Sequence, residues 1–475
     1  MPTETRGLAL TVLSAASLMV VLDSTIVAVA MPSIQHDLGF SRAGLAWVIT
    51  AYLVAFGGLL LLAGRLGDLV GRRRVFLTGL GLFTAASLAG GFAQDAGFLV
   101  AARFAQGIGG ALASAVVLGM IVTMYPEPRA RTRALGVYSF TQAAGASIGL
   151  IAGGTLTQAL DWHWTFTINV PIGLAAFLLA FRVVEPDRGT GLRAGIDILG
   201  AVLVTSAIML GVLGISQSAE HGWALMTLAP LAASVVILGA FVVRQQKAAT
   251  PLLPLRLFQV RAVTGANIVM VLMVAGLLGF QFVTVLYLQQ VLGFGALGTG
   301  IAFLPVPVVI AVGSLGFADK LIARFGPRTM LIAGLTPVVV GLLLLTRVTA
   351  NGGYYTLVLP ALVLMGIGGG VAIPALMGLA MSDAGPEDAG VASGLINTTQ
   401  QAGAAIGTAV LATVAASRTG GLLAKGDDVR EALTAGFRLA YGVSSAFLLA
   451  AIVVGAAVLS AGKAAEPELA LAQAK

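Results

Sequence analysis

Long apolar runs broken by short polar stretches recur from one end of the chain to the other. Each run holds 18 or more mostly apolar residues, about the length an α-helix needs to cross hydrocarbon. The strict in-out alternation of a membrane β-barrel is missing. The pattern predicts fourteen spans. The first six lie near residues 8–30, 44–63, 75–93, 98–124, 134–159 and 164–182. Two follow near 196–215 and 224–243, and the last six lie near 262–290, 296–317, 329–346, 355–381, 391–416 and 436–461.

Composition agrees: 58% of residues are hydrophobic and only 10% charged, with a mean hydropathy of +0.98. That excludes a soluble globular class and points to an integral membrane protein. The formal net charge of +7 could suggest nucleic acid, but the arginines sit in short loops between spans, where topology explains them better. Loops on one side carry Arg72, the group Arg129, Arg131 and Arg133, then Arg182, Arg188 and Arg193, then Arg244, Lys247, Arg256 and Arg261, and finally Lys320, Arg324 and Arg328. The opposite loops hold Arg42, Arg347 and a cluster between Arg418 and Arg438. Positive residues mark the cytoplasmic side, so both termini are expected inside the cell. The inside loop from Asp383 to Asp388 is acidic and has no topological account.

The absence of cysteine excludes disulfides and thiolate chemistry. Arg6, an apolar run and Ala28-Val29-Ala30 resemble a signal-peptidase site, yet the run is too long and Asp23 interrupts it, so the segment is expected to be retained. Arginine outnumbering lysine fits a GC-rich bacterial genome.

The chain repeats itself. Thr141 to Gly149 reads TQAAGASIG, and Thr399 to Gly407 reads TQQAGAAIG. Gly107-Ile108-Gly109-Gly110 is echoed by Gly366-Ile367-Gly368-Gly369, and Pro128 by Pro386, at nearly one offset. The division expected is 1–188 as one six-helix bundle, 189–250 as two inserted spans and 251–475 as a second bundle. Two inserted spans preserve orientation, so the bundles are parallel repeats with a binding site at midplane between them.

Asp23 is the only carboxylate placed well inside a span, and Arg103 the only basic residue so placed. A charge in hydrocarbon costs on the order of +2.5 to +3.5 kcal/mol on insertion scales, so such residues are functional candidates. Counted from the outer ends of their spans, Asp23 lies roughly 10 Å deep and Arg103 roughly 8 Å, near enough to meet; Arg103 could instead snorkel outward. A cation favours the ionised acid and burial the neutral one, a balance that would let proton and substrate compete for one carboxylate. Gln106, Gln142, Asn267, Gln281, Asn397 and Gln400 are candidate substrate contacts, with Thr398 and Gln401 also polar; interhelical hydrogen bonding is the alternative use. Gly145, Gly149 and Gly153 recur every four residues, which favours close helix packing. GASIG at Gly145–Gly149 formally matches a hydrolase nucleophile motif, but an apolar helix is the wrong context. His36, His163 and His221 fall in outer loops without ligand spacing, so no metal site is expected.

One loop stands out. GRLGDLVGRRR, Gly64 to Arg74, sets Gly64, Asp68 and Gly71 before Arg72, Arg73 and Arg74. It resembles the G-x-L-x-D-x-x-G-R-[KR] loop between helices two and three of the major facilitator superfamily, with Gly67 where Ala is frequent. The resemblance implies that Asp68 and the arginines cap and bridge helix ends as a cytoplasmic gate. LDSTIVAVAMP, Leu22 to Pro32, is similar to the first-helix signature of the fourteen-helix drug:proton antiporters, and Arg103, Gln106, Gly107 and Gly110 match their fourth-helix motif, whose arginine is implicated in proton transfer. WHWTFTINVPIG, Trp162 to Gly173, matches a further segment, with His163 in place of Arg. In the fifth-span motif Gly136, Gly145, Gly149, Gly153 and Gly154 are kept while Leu150 replaces proline.

The fold implied is the all-α major facilitator fold: two pseudo-symmetric six-helix bundles with two inserted helices. The function implied is a monomeric, cofactor-free exporter in the bacterial cytoplasmic membrane that exchanges lipophilic or cationic drug-like or antibiotic molecules for protons. The proton gradient would drive it, since no Walker motif is present. One intramembrane acid favours neutral or singly charged substrates over dications. A same-fold nutrient importer is the first alternative. A membrane enzyme would need paired acids, a metal triad or a nucleophile, and a sensor would need a sizeable soluble domain; none is visible.

Overall fold

A computed structural model describes residues 3–40, 42–187, 189–191, 197–221, 224–248, 251–253, 261–381 and 389–458. Arg188, Arg193, Arg256 and the acidic Asp383–Asp388 stretch with Pro386 lie outside them. Among the described residues every regular element is helical. The first seven are α1 (Thr3–Leu38), α2 (Arg42–Val70), α3 (Arg72–Gly90), α4 (Ala96–Met124), α5 (Pro128–Ala159), the short α6 (Trp164–Thr167) and α7 (Asn169–Val183). Next come α8 (Ile198–His221) and α9 (Leu225–Lys247). The remainder are α10 (Arg261–Leu286), α11 (Ala296–Phe303), α12 (Pro305–Gly316), α13 (Ala318–Phe325), α14 (Pro327–Leu345), α15 (Leu359–Ala380), α16 (Ala389–Leu423) and α17 (Val429–Val458), with π-helical turns at Tyr287–Val291 and Tyr354–Val358.

Among the described residues thirteen helical stretches are long and apolar enough to cross a membrane. The third expected span is α3, 19 residues long, which opens on three arginines and is not among the thirteen. Several helices outrun their apolar segments; α1 begins at Thr3 and α5 at Pro128. Hydropathy marks the part in lipid, whereas backbone hydrogen bonding continues past the interface. The tenth expected span is divided where Pro305, which has no N–H to donate, opens α12. Local chemistry sets other ends: the Asp95 carboxylate accepts the Phe98 N–H at 2.8 Å and caps α4. Gly71, at φ +108°, lets the chain turn between α2 and α3, and Gly326, at φ +80°, does the same between α13 and α14.

Within the first half α1 packs on α5, α2 on α4, and α3 on α4 and α7. The second half repeats this with α10 on α16 and α14 on α15. Glycines make the same crossings in both. A Cβ on Gly79 would meet the Gly109 carbonyl at 2.7 Å, and one on Gly334 the Gly368 carbonyl at 2.8 Å. Gly145, Gly149 and Gly153 seat α5 on Leu18, Leu22 and Ile26 of α1, while Gly403 and Gly407 seat α16 on Val271 and Ala275 of α10. The halves meet where α5 runs along α11, α12 and α15, and where α2 and α4 run along α16. The α8–α9 hairpin lies on α2 and α16 at that seam, burying Ala201, Val204 and Phe241 with Leu61, Val391 and Leu395.

A polar clasp ties the hairpin together. Asp197 accepts from the Gly200 N–H at 2.9 Å, Arg244 Nε at 3.0 Å and Gln245 Nε2 at 2.8 Å, and Gln245 Oε1 accepts the Leu253 N–H at 3.0 Å. Burial works to raise the Asp197 carboxyl, but these hydrogen bonds and the Arg244 charge outweigh it and hold the group below the usual carboxylate range.

Because the folded value is depressed, the clasp is fully present above the unfolded Asp value of about 3.9 and is lost only as pH falls through the lower folded value. Asp197→Ala is therefore expected to lower the melting temperature of the purified protein by the same few degrees at about pH 7 and about pH 5; a thermal shift series across that range checks it. Gly149→Val places a Cβ 2.9 Å from the Leu22 carbonyl and against Thr25. It is expected to destabilise the α1–α5 contact by about 1–3 kcal/mol, the usual cost of overpacking, read as a lower melting temperature than that of Gly154→Ala, whose Cβ meets nothing nearer than the Leu297 nitrogen at 3.9 Å.

Candidate functional site

Three features converge on the first half and the seam. The first is a polar cluster sealed inside the first bundle. Asp23, fully buried on α1, meets Arg103, 1% exposed on α4, at 2.6 Å between Oδ2 and Nη1. Gln106, one turn beyond Arg103, donates from Nε2 to Asp23 Oδ1 at 3.0 Å and to Ser87 Oγ at 2.6 Å, and accepts from Arg103 Nη1 at 2.9 Å. Asn169, at the start of α7, donates from Nδ2 to Asp23 Oδ1 at 2.8 Å. Its Oδ1 is buried with no hydrogen-bond partner among the described residues. Arg103 Nε donates to the Val48 carbonyl at 2.9 Å, and the guanidinium lies 4.3 Å from the Tyr52 ring centroid and 5.9 Å from that of Phe166. A desolvated ion pair persists only when its remaining hydrogen-bonding capacity is filled, and these groups fill it.

Phe166 and Trp162 close the cluster toward the outer loops as part of a buried apolar group with Val48, Ala93 and Leu99. Trp162 Nε1 donates to Asp37 Oδ2 at 2.9 Å, and His163 pairs with Asp161 at 3.0 Å. Among the described residues no group of three or more His, Cys, Asp or Glu side chains is arranged to hold a metal. The His221 side chain lies outside what is described.

The second feature is a cavity of about 330 Å³ at the seam between the bundles. Gln142 and Ser147 of α5 face Gln281 of α10 and Gln400 and Gln401 of α16, among Met273, Met365, Met377, Phe280 and Phe303. Of the six amides named from sequence, Gln142, Gln281 and Gln400 line it. Gln106 belongs to the sealed cluster instead. Asn267 accepts from Thr399 Oγ1 at 2.7 Å and donates to the Val263 carbonyl at 2.9 Å, joining α10 to α16. Asn397 donates to the carbonyls of Ser393 at 2.9 Å and Ser114 at 3.3 Å, tying α16 to α4 across the seam.

Neither Asp23 nor Arg103 lines this cavity. Val21 does, and two residues on a helix are rotated by roughly 200°, so α1 shows Val21 to the seam and Asp23 to the bundle interior. Direct competition of substrate and proton for one carboxylate, the arrangement expected from sequence, has no geometric basis here.

The third feature shuts the arginine-bearing face of the seam. Asp68 Oδ1 accepts from Arg72 Nη2 at 3.0 Å and from the Gly390 N–H at 2.8 Å, while Oδ2 accepts the Val391 N–H at 2.8 Å. The carboxylate thus sits on unpaired donors at the start of α16, where the helix dipole favours an anion. Gly64 packs directly on Gly390, with no room for a side chain. Asp187 caps α3, accepting the N–H groups of Arg72 at 2.6 Å and Arg73 at 3.0 Å. Arg72 Nη1 also donates to Thr123 Oγ1 at 2.9 Å, and Arg73 donates to the Phe181 carbonyl while lying over the Phe181 ring.

Asn169, Tyr52, Asp187 and the Gly390 and Val391 amides were not foreseen. Asn169 stands in the INVPIG segment already noted, a signal that could have been followed; backbone donors leave none.

Residues 13–408 match the Major Facilitator Superfamily model. The chain belongs to this family, and it is a multi-pass membrane transporter rather than an enzyme. It is 39% identical to the puromycin resistance protein of Streptomyces alboniger over 96% of this chain and 91% of that one. It is 40% identical to the cephamycin export protein of Amycolatopsis lactamdurans (88% and 87%), and 35% identical to the tetracenomycin C resistance and export protein of Streptomyces glaucescens (85% and 74%). Among solved structures, a human organic anion transporter superimposes with a TM-score of 0.68 at 16% identity, covering 96% of this chain and all 100% of that one. A proton:xylose symporter gives 0.62 at 14% identity, covering 95% of this chain and 96% of that one. At those identities the likeness concerns the fold alone.

Asp68→Asn is expected to weaken the shut face. Hydrogen bonds to a charged group are worth about 1.5–3 kcal/mol each, so losing one shifts the open-to-shut ratio by roughly ten- to a hundredfold. Spin labels on Arg74→Cys and Lys320→Cys, in a chain with no other cysteine, should gain a longer distance in the variant.

Proposed function

We propose that this protein is a proton-coupled antiporter that exports drug-like or antibiotic molecules across a bacterial cytoplasmic membrane. The observation that carries the reading is the Asp23–Arg103 pair, sealed in the first bundle on the same helix that lines the seam. The arginine-bearing face is the cytoplasmic one, with both termini on that side, by the bias of positive loops. Relatives whose printed names concern antibiotic resistance or export support the substrate class and the outward direction.

In this reading Asp23 carries the proton. Ionised, it holds α1 to α4 and α7 through Arg103, Gln106 and Asn169. Protonated, it gives up the ion pair and needs an acceptor for its new O–H, which Asn169 can offer by turning its unpartnered Oδ1 inward. Arg103 keeps the Val48 carbonyl, the Gln106 oxygen and the Tyr52 face. The α1 helix is then free to shift on the glycine track of α5, and Val21 moves with it. Cargo in the cavity and the proton on Asp23 thus act on one helix from opposite faces.

The two halves, 1–188 and 251–475, rock about the cavity while the Asp68 latch opens and shuts the cytoplasmic face. The α8–α9 hairpin rides at the seam. One chain holds proton site, cavity and latch, so a monomer suffices, and the proton gradient takes the place of any cofactor.

The test is gradient-driven dye uptake into everted vesicles. Asp23→Asn keeps a hydrogen-bonding side chain but cannot release a proton; it is expected to reduce the rate at least about a hundredfold, the scale of losing an essential proton carrier, with the protein still present in the membrane. Undiminished uptake would place the proton elsewhere.

A further inference from the structure

We propose that the seam cavity accepts uncharged, oxygen-bearing hydrophobic molecules and discriminates against organic cations and anions alike. This rests on the reading of that cavity as the substrate site. No Asp, Glu, Lys, Arg or His is among its lining residues. An ion entering it would shed water and meet no counter-charge, a penalty that grows with burial. The phenyl faces of Phe280 and Phe303 can attract a cation only weakly by comparison.

The ion pair behind α1 does not repair this. Asp23 and Arg103 neutralise each other behind α1. When Asp23 takes up a proton the pair is left net positive, which opposes a cation further, and Arg103 is turned to Asp23, Val48 and Gln106, so it offers an anion no hydrogen bond. A cation therefore finds no attractor in either protonation state.

The lining does offer neutral hydrogen bonding. Gln142 donates to Tyr138 Oη at 3.2 Å, and its own Oε1 is buried without a partner among the described residues. The side chains of Gln281, Gln400 and Gln401 make no hydrogen bond to protein among the described residues, and each carries both donor and acceptor. Carbonyl and hydroxyl groups on an apolar frame match that set. Three flexible methionines adapt the walls to differing outlines, so the selection is by charge and polarity more than by shape.

The experiment measures equilibrium binding to the purified full-length chain in lipid nanodiscs, without any gradient, against empty discs. Three probes of similar outline are compared: uncharged triphenylphosphine oxide, the tetraphenylphosphonium cation and the tetraphenylborate anion. Triphenylphosphine oxide is expected to bind saturably and at least about tenfold more tightly than either ion. Gln281→Glu supplies the missing counter-charge and is expected to raise tetraphenylphosphonium affinity about tenfold or more, with Gln400→Glu as a second such variant. Equal or tighter binding of either ion to the native chain, no saturable binding of the oxide, or no gain of cation binding in a folded carboxylate variant would overturn the proposal. Since no gradient is present, its failure is separate from a failure of proton coupling, which the vesicle assay reads.

Discussion

An ion pair withdrawn from water inside a membrane protein is the constraint around which the first half of this transporter is arranged. Removing one partner of such a pair typically costs about 3–5 kcal/mol, because the other is stranded. The surroundings answer that cost group by group: Gln106 and Asn169 on the carboxylate, Val48 and the Tyr52 ring on the guanidinium, Ser87 behind Gln106. Five helices, α1, α2, α3, α4 and α7, are committed to holding two charges. In the proposed mechanism, protonation of Asp23 releases that commitment.

Duplication supplies the scaffold, and divergence places the buried charge pair in one half only. The glycine crossings of α3 with α4 recur in α14 with α15, and those of α1 with α5 recur in α10 with α16. Carried along the same offsets, Asp23 falls on Gly276, Arg103 on Leu362 and Gln106 on Met365. Gly276 packs against Leu448 and Ser444, Leu362 is buried in the apolar core, and Met365 faces the cavity. One bundle therefore holds charge and the other is apolar at matching positions, while both give a wall to the same cavity.

Much of this was legible in the residues. Apolar runs of span length marked the helices, and shared small-residue strings such as TQAAGASIG and TQQAGAAIG marked the duplication. Asp23 and Arg103 stood out because charge is costly in lipid. The amides were harder: Gln142 lines the cavity whereas Asn267 and Asn397 bridge helices, and a neutral amide carries no sign of which partner it will find. The Asp68 contact across the seam was visible from one side only, since its partners there are the backbone amides of Gly390 and Val391. The separation of the Asp23–Arg103 pair from the cavity follows from the helical rotation between Val21 and Asp23, a consequence of register that depth along the span does not reveal.

Cargo and proton, held on opposite faces of α1 in the proposed mechanism, exclude one another. Proton release by the purified protein in weakly buffered solution tests it most directly, followed with a pH-sensitive dye as triphenylphosphine oxide is added. The native chain should release protons in proportion to the oxide bound, and the Asp23→Asn protein should bind the oxide and release none. Equal release by both proteins, or none by the native one, would contradict the account.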